Sequence, residues 1–125
     1  MFVSNGGLSS AGIGRRETLI SGAVVVKAGT IYYIRFTVDG SARVVGRFQA
    51  TGGGGNDIKA VIASSDEFEN WQNGHQAHVL FQTGRTSVAT LNVPIRAPGT
   101  YYLGFDNKFS LVSDKTVAGN VVLFH

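Results

Sequence analysis

From Thr18 to the C-terminus, apolar residues recur at every second position in short runs broken by Gly, Asp, Asn and Pro. A period of two puts alternate side chains on one face of an extended chain, so each run predicts a β-strand with one buried face. Residues 18–27 gather Ile20, Gly22, Val24 and Val26 on one side. Residues 30–38 set Tyr32, Ile34, Phe36 and Val38 against Tyr33, Arg35 and Thr37. Residues 42–50 set Val44, Gly46 and Phe48 against Arg43, Val45 and Arg47. The pattern continues in 57–63 (Ile58, Ala60, Ile62), 75–82 (Val79, Phe81) and 86–95 (Ala89, Leu91, Val93, Ile95). It ends with Tyr101, Leu103 and Phe105 after the Pro98-Gly99 turn, and with Val117, Val121 and Leu123 in 116–124. Eight strands at this spacing predict an all-β fold, an antiparallel β-sandwich of jelly-roll type.

One stretch breaks the period. In 64–74, Phe68, Trp71 and Gln72 recur at helical spacing, Ser64 and Glu67 have the form of a capping box, and Gly74 suits the position after the helix. Asp66, Glu67 and Glu69 suit the helix dipole. This predicts one short helix, docked through Phe68 and Trp71 over one end of the sandwich. Between residues 38 and 42, parity favours a three-residue loop. It sets Phe36 opposite Val44 if the two strands pair, where a two-residue loop would set Phe36 opposite Arg43. The same register brings Tyr33, Arg35, Arg43 and Arg47 together on the outer face. Residues 1–17, rich in Ser, Gly and Asn at the start, are expected to be a flexible lead-in or edge extension; residues 18–125 make the single domain.

The run after Pro98 carries the densest motif. It reads Gly-x-Tyr-x-Leu-x-Phe-Asp-Asn-x-Phe-Ser, containing Tyr101, Phe105, Asp106, Asn107 and Phe109, and is followed by Lys115-x-Val. This segment resembles the last two strands of the GOLD (Golgi dynamics) domain, and residues 53–62 resemble that family's Gly-rich turn before an Asp-Ile strand. The resemblance spans residues 19–124. It implies a β-sandwich module of the kind found in cargo adaptors of the early secretory pathway and in CRAL-TRIO lipid-transfer proteins. It also implies a non-catalytic interaction role, with a protein partner or a lipid surface as ligand. The secretory members usually carry a cysteine pair and a C-terminal membrane helix with a coiled coil, which this sequence lacks; the resemblance therefore implies the fold more than a trafficking role.

Composition sets outer bounds. At 125 residues the chain forms one domain with a real core, and seventeen glycines suit many turns. The absence of cysteine removes disulfide support and leaves the redox compartment unread. No apolar run reaches the roughly 18 residues of a membrane span, and 1–13 lacks the pattern of a signal peptide. As written, the chain is expected in the cytoplasm, with a secreted or lumenal location left open. A formal charge of +3 is a mild basic bias that favours anionic partners without the dense stripe of a nucleic-acid binder. Oligomeric state is unread.

Candidate chemistry is sparse. Gly52 to Gly55 lack the Gly-Lys-Ser or Gly-Lys-Thr and the helix of a phosphate-binding loop, and read as a strand connection. His75 and His78 point to opposite faces of a strand and make no zinc pair. No Gly-x-Ser-x-Gly elbow or glycosidase-like carboxylate motif is present, so no enzyme, no cofactor and no metal is expected. Asp106, Asn107 and Asp114 offer oxygen ligands of the kind calcium takes, but fit better as a turn in which Asp106 and Asn107 bond backbone and Lys115 offsets Asp106. Two binding readings follow. Tyr33, Arg35, Arg43 and Arg47 would suit acidic protein segments or an anionic lipid surface. Alternatively, Trp71 and the tyrosines would act as stacking platforms of a carbohydrate-binding module.

Overall fold

The computed structural model describes residues 15–125. The expected lead-in over residues 1–14 lies outside them. Arg16 and Glu17, expected in that lead-in, are already strand, opposite Phe124 and Leu123. In chain order the elements are β1 (Arg16–Val26), β2 (Ile31–Val38), β3 (Ala42–Thr51), β4 (Lys59–Ser64), α1 (Ser65–Gln72), β5 (Phe81–Gln82), β6 (Val88–Ile95), β7 (Gly99–Asp106) and β8 (Lys115–Phe124).

Two antiparallel sheets stack face to face, ordered β1-β8-β3-β6 and β2-β7-β4-β5. Every strand connection crosses from one sheet to the other except β4 to β5, which carries α1. That alternation is the jelly roll expected from the sequence. The inward positions are those the alternation predicts: Phe36 and Val38, Val44 and Phe48, Leu91, Val93 and Ile95, Tyr101, Leu103 and Phe105, and Val117, Val121 and Leu123 are all buried. Phe48 of one sheet meets Phe105 of the other edge to face at 5.1 Å, and Phe36 stacks on Tyr101 at 5.9 Å. The Tyr101 hydroxyl donates to the Ala97 carbonyl at 2.8 Å, which closes the β6–β7 turn.

Three expectations change. First, β2 and β3 do not pair: Phe36 lies opposite Tyr101 of β7, and Val44 lies between Val93 of β6 and Leu123 of β8. Parity selects a face, and any partner of the same parity satisfies it. Second, the strand expected over 75–82 shrinks to Phe81–Gln82. Gly74, at φ +76°, ends α1 with bonds from its N–H to the Trp71 carbonyl and from His75 N–H to the Asn70 carbonyl. The chain reaches the edge of β4 only near Leu80, so Val79 packs beside α1 while Phe81 joins the main core. Third, α1 lies across the outer face of the β2-β7-β4-β5 sheet and not over an end of the sandwich. Consequently β4 is buried on both faces: Ala60 and Ile62 inward, Val61 and Ala63 under the helix.

Candidate functional site

Among the described residues a second apolar layer forms on the outer face under α1. Gly104 of β7 makes room for it. A Cβ there would stand 2.6 Å from Phe68 Cε1, so only glycine lets the ring lie against the sheet. Phe68 is stacked on Tyr102 at 4.8 Å and on Trp71 at 5.9 Å. Tyr33 of β2 meets Phe68 edge-on at 5.7 Å and Tyr102 at 5.4 Å, and remains 53% exposed. Two neighbours thus hold the orientation of a ring that is half open to solvent.

Beside this ring lies a groove of about 580 Å³, walled by Tyr33, Phe68 and Tyr102 and rimmed by Ser65, Asp66, Glu69, Gln72 and Asn73. Among the described residues the side chains of Asp66, Glu69, Gln72 and Asn73 make no hydrogen bond or ion pair within the protein. Glu67 points elsewhere. Its carboxylate accepts from His78 N–H at 3.0 Å and Asn70 Nδ2 at 3.4 Å, which pins the 73–80 loop and holds its pKa below the usual carboxylate value. The expected capping box is therefore absent: Ser64 is the N-cap, but no side-chain hydrogen bond forms there.

The predicted surface of Tyr33, Arg35, Arg43 and Arg47 is not assembled. Tyr33 and Arg35 face outward on β2 in one sheet, whereas Arg43 and Arg47 face outward on β3 in the other, across the thickness of the sandwich. Arg43 donates to Asn92 Oδ1 at 2.6 Å. Arg47 flanks a shallow trough of about 630 Å³ floored by Ala23, Ala118 and Gly119. Trp71 does join Tyr33 in one cluster, half-buried and stacked behind Phe68. The carboxylates and amides of the groove were not singled out as a site by sequence reasoning. Their signal was present, since Asp66, Glu69 and Gln72 recur every third residue and share a helix face.

At the end of the sandwich where β7 passes to β8, Asp106 to Ser110 form a hydrogen-bonded turn. Asp106 Oδ1 accepts from Lys108 N–H at 2.7 Å. Asn107 is fully buried and donates through Nδ2 to the carbonyls of Val26 at 3.1 Å and Ser113 at 2.9 Å. Asp114 accepts from Ala28 N–H and lies 3.8 Å from Lys27 Nζ. Lys115 differs from expectation. It does not offset Asp106; its ammonium donates to the carboxylate of Asp57 at 2.8 Å and to the Asp57 carbonyl at 2.7 Å. Arg85 binds the other Asp57 oxygen at 2.9 Å, and both cations lie over the ring of Phe109, at 4.6 Å for Lys115 and 4.2 Å for Arg85.

Among the described residues no group of three or more His, Cys, Asp or Glu side chains is placed to hold a metal ion, and no helix is long and apolar enough to cross a membrane. No family model matches the chain, and no curated protein matches it. Similar solved structures include a family 29 carbohydrate-binding module, at 8% identity and a TM-score of 0.43 over 86% of this chain and 89% of that one. Another is a protein of the disulfide-linked pili of Bacillus endospore appendages, at 12% identity and a TM-score of 0.46 over 97% of each chain. Neither is a GOLD domain. Such distant likenesses say nothing of function; the chain is, by its own strand order, a jelly-roll β-sandwich.

Proposed function

We propose that the chain is a non-catalytic binding module whose ligand is a glycan, held in the groove between α1 and the outer face of β2 and β7. The observation that carries this reading is the half-exposed ring of Tyr33, fixed edge-on by Phe68 and Tyr102 beside four uncommitted carboxylate and amide side chains. A pyranose ring has an apolar C–H face and a rim of hydroxyls. The face packs on an aromatic ring held in place, and the rim exchanges paired hydrogen bonds with planar carboxylates and amides. A rigid platform spends little ordering entropy on binding. The groove is an open surface that does not exclude water, which suits binding more than a reaction.

The protein- or lipid-surface reading that the GOLD-like motif implies has lost its patch on the sheet faces, because the arginines stand on opposite sides. Arg35 alone accompanies Tyr33, opposite Tyr102 in the ladder.

A glycan array, followed by calorimetry on the best hit, tests the proposal. Tyr33→Ala should weaken binding about tenfold, roughly 1.4 kcal/mol, and Asp66→Asn with Glu69→Gln should change which glycan is preferred. Binding that survives Tyr33→Ala unchanged, or an array without hits, would remove the groove as a glycan site.

A further inference from the structure

Leu111 and Val112 are 91% and 89% exposed, adjacent, and at the apex of the β7–β8 loop. Single exposed aliphatics are ordinary on a protein surface; two together at a protruding apex are less so. The apex is also held. Ser110 Oγ donates to the Ser113 carbonyl at 3.0 Å and accepts from Ser113 N–H at 3.2 Å, and Asn107 Nδ2 anchors the same carbonyl. A closed turn therefore presents the pair outward at little further cost in entropy.

Charge at the same end is mostly basic. Lys27, Lys59, Arg85 and Lys108 fall in or beside its loops, with Lys115 buried beneath them. The three carboxylates there are already engaged: Asp57 by Lys115 and Arg85, Asp106 by Lys108 N–H, and Asp114 by Ala28 N–H with Lys27 nearby. A depression of about 320 Å³ adjoins the apex, lined by Leu111, the backbone of Gly53 to Gly55, and Asp57 with the two cations, Arg85 and Lys115, that neutralise it. Arg85, which lines this depression and lies over the Phe109 ring at 4.2 Å, bonds Asp57 through Nε, and its two terminal amino groups have no protein acceptor among the described residues. The backbone N–H groups of Gly53, Gly54 and Gly55, which also line it, make no hydrogen bond among the described residues.

We infer that this end of the sandwich docks on an anionic phospholipid bilayer, with Leu111 and Val112 dipping below the headgroups while Arg85 and the Gly53–Gly55 backbone meet a lipid phosphate. A protein partner fits less well, because two aliphatic side chains on a narrow apex fall far short of the roughly 800 Å² per side of a stable interface. A shallow apolar insertion beside cations needs no such area, since bilayer association adds apolar burial to attraction for anionic lipid. The site lies apart from Tyr33 and stands whether or not the groove binds glycan.

The test is co-sedimentation with phosphatidylcholine vesicles, with and without phosphatidylserine, at low and high salt. Wild type should sediment with the anionic vesicles at low salt and be released as salt rises. The double substitution Leu111→Ser with Val112→Ser, on side chains that touch almost nothing, should weaken sedimentation by about tenfold, while Tyr33→Ala should leave it unchanged. In a Val112→Trp variant, emission should shift to the blue on adding anionic vesicles. No sedimentation of wild type with anionic vesicles at low salt would overturn the inference. So would equal sedimentation of the Ser pair, which leaves charge adsorption alone, or competition by inorganic phosphate with no vesicle binding.

Discussion

Lys115, the first residue of β8, is 3% exposed and donates from one ammonium to both the side chain and the backbone of Asp57, fifty-eight positions earlier in the chain. The contact ties the start of one sheet's central strand to the loop that feeds β4 in the other, and Phe109 roofs it. Removing the ammonium leaves the Asp57 carboxylate with Arg85 alone. Lys115→Met should therefore cost roughly 2–3 kcal/mol, below the cost of breaking a fully isolated buried pair. Denaturant melts check this, and a loss under about 0.5 kcal/mol would show the pair to be dispensable.

The same pair sets a pH dependence. The hydrogen bond from Lys115 is the largest cause holding the Asp57 pKa below its ordinary value of 3.8, with Arg85 adding to it. A carboxylate whose folded pKa is depressed contributes stability that is complete above its unfolded pKa and is lost as pH falls through the folded one. Thermal stability of wild type should thus decline below about pH 4, and the decline should be shallower in Lys115→Met. Parallel curves for the two proteins would assign the acid loss to other carboxylates.

Gly104→Ala should lift α1 from its sheet. The added Cβ meets Phe68 Cε1 at 2.6 Å and Val61 Cγ1 at 3.3 Å, and Phe68 is wedged between Tyr102 and Trp71. Overpacking of this kind costs typically about 1–3 kcal/mol. Because Trp71 is the sole tryptophan and stacks on Phe68, its fluorescence should change with the substitution. An unchanged emission spectrum would mean that the helix absorbs the methyl without moving.

Phe105→Ala empties the space between the sheets opposite Phe48 and should cost roughly 3–5 kcal/mol. A double-mutant cycle with Phe48→Leu should show a coupling of about 0.5–1.5 kcal/mol if the edge-to-face contact stabilises the core beyond burial. Additive losses would leave burial as the whole effect.

Asn107→Ala strips the Val26 and Ser113 carbonyls of a shared buried donor. Stability should fall by about 1–3 kcal/mol, and the apex at Leu111 should become more accessible to proteases. Resistance equal to wild type would place the rigidity of that loop in Ser110 and Ser113 instead.

How much of this was legible in the sequence follows from what a repeat of two can encode. It specifies which face each residue takes, so the core from Phe36 to Leu123 and every strand but the one expected over 75–82 could be read directly. Helical spacing likewise revealed α1 and its anchors Phe68 and Trp71. Alternation carries no information about the neighbour. Val44 is equally satisfied beside Phe36 or between Val93 and Leu123, and only the jelly-roll crossing of nearly every connection decides for the latter. That choice separates Arg35 from Arg43 and Arg47. It also brings Asp57 to Lys115, and Tyr33 to Phe68, contacts between residues far apart in the chain that arise because two sheets and one helix must cover each other's apolar faces.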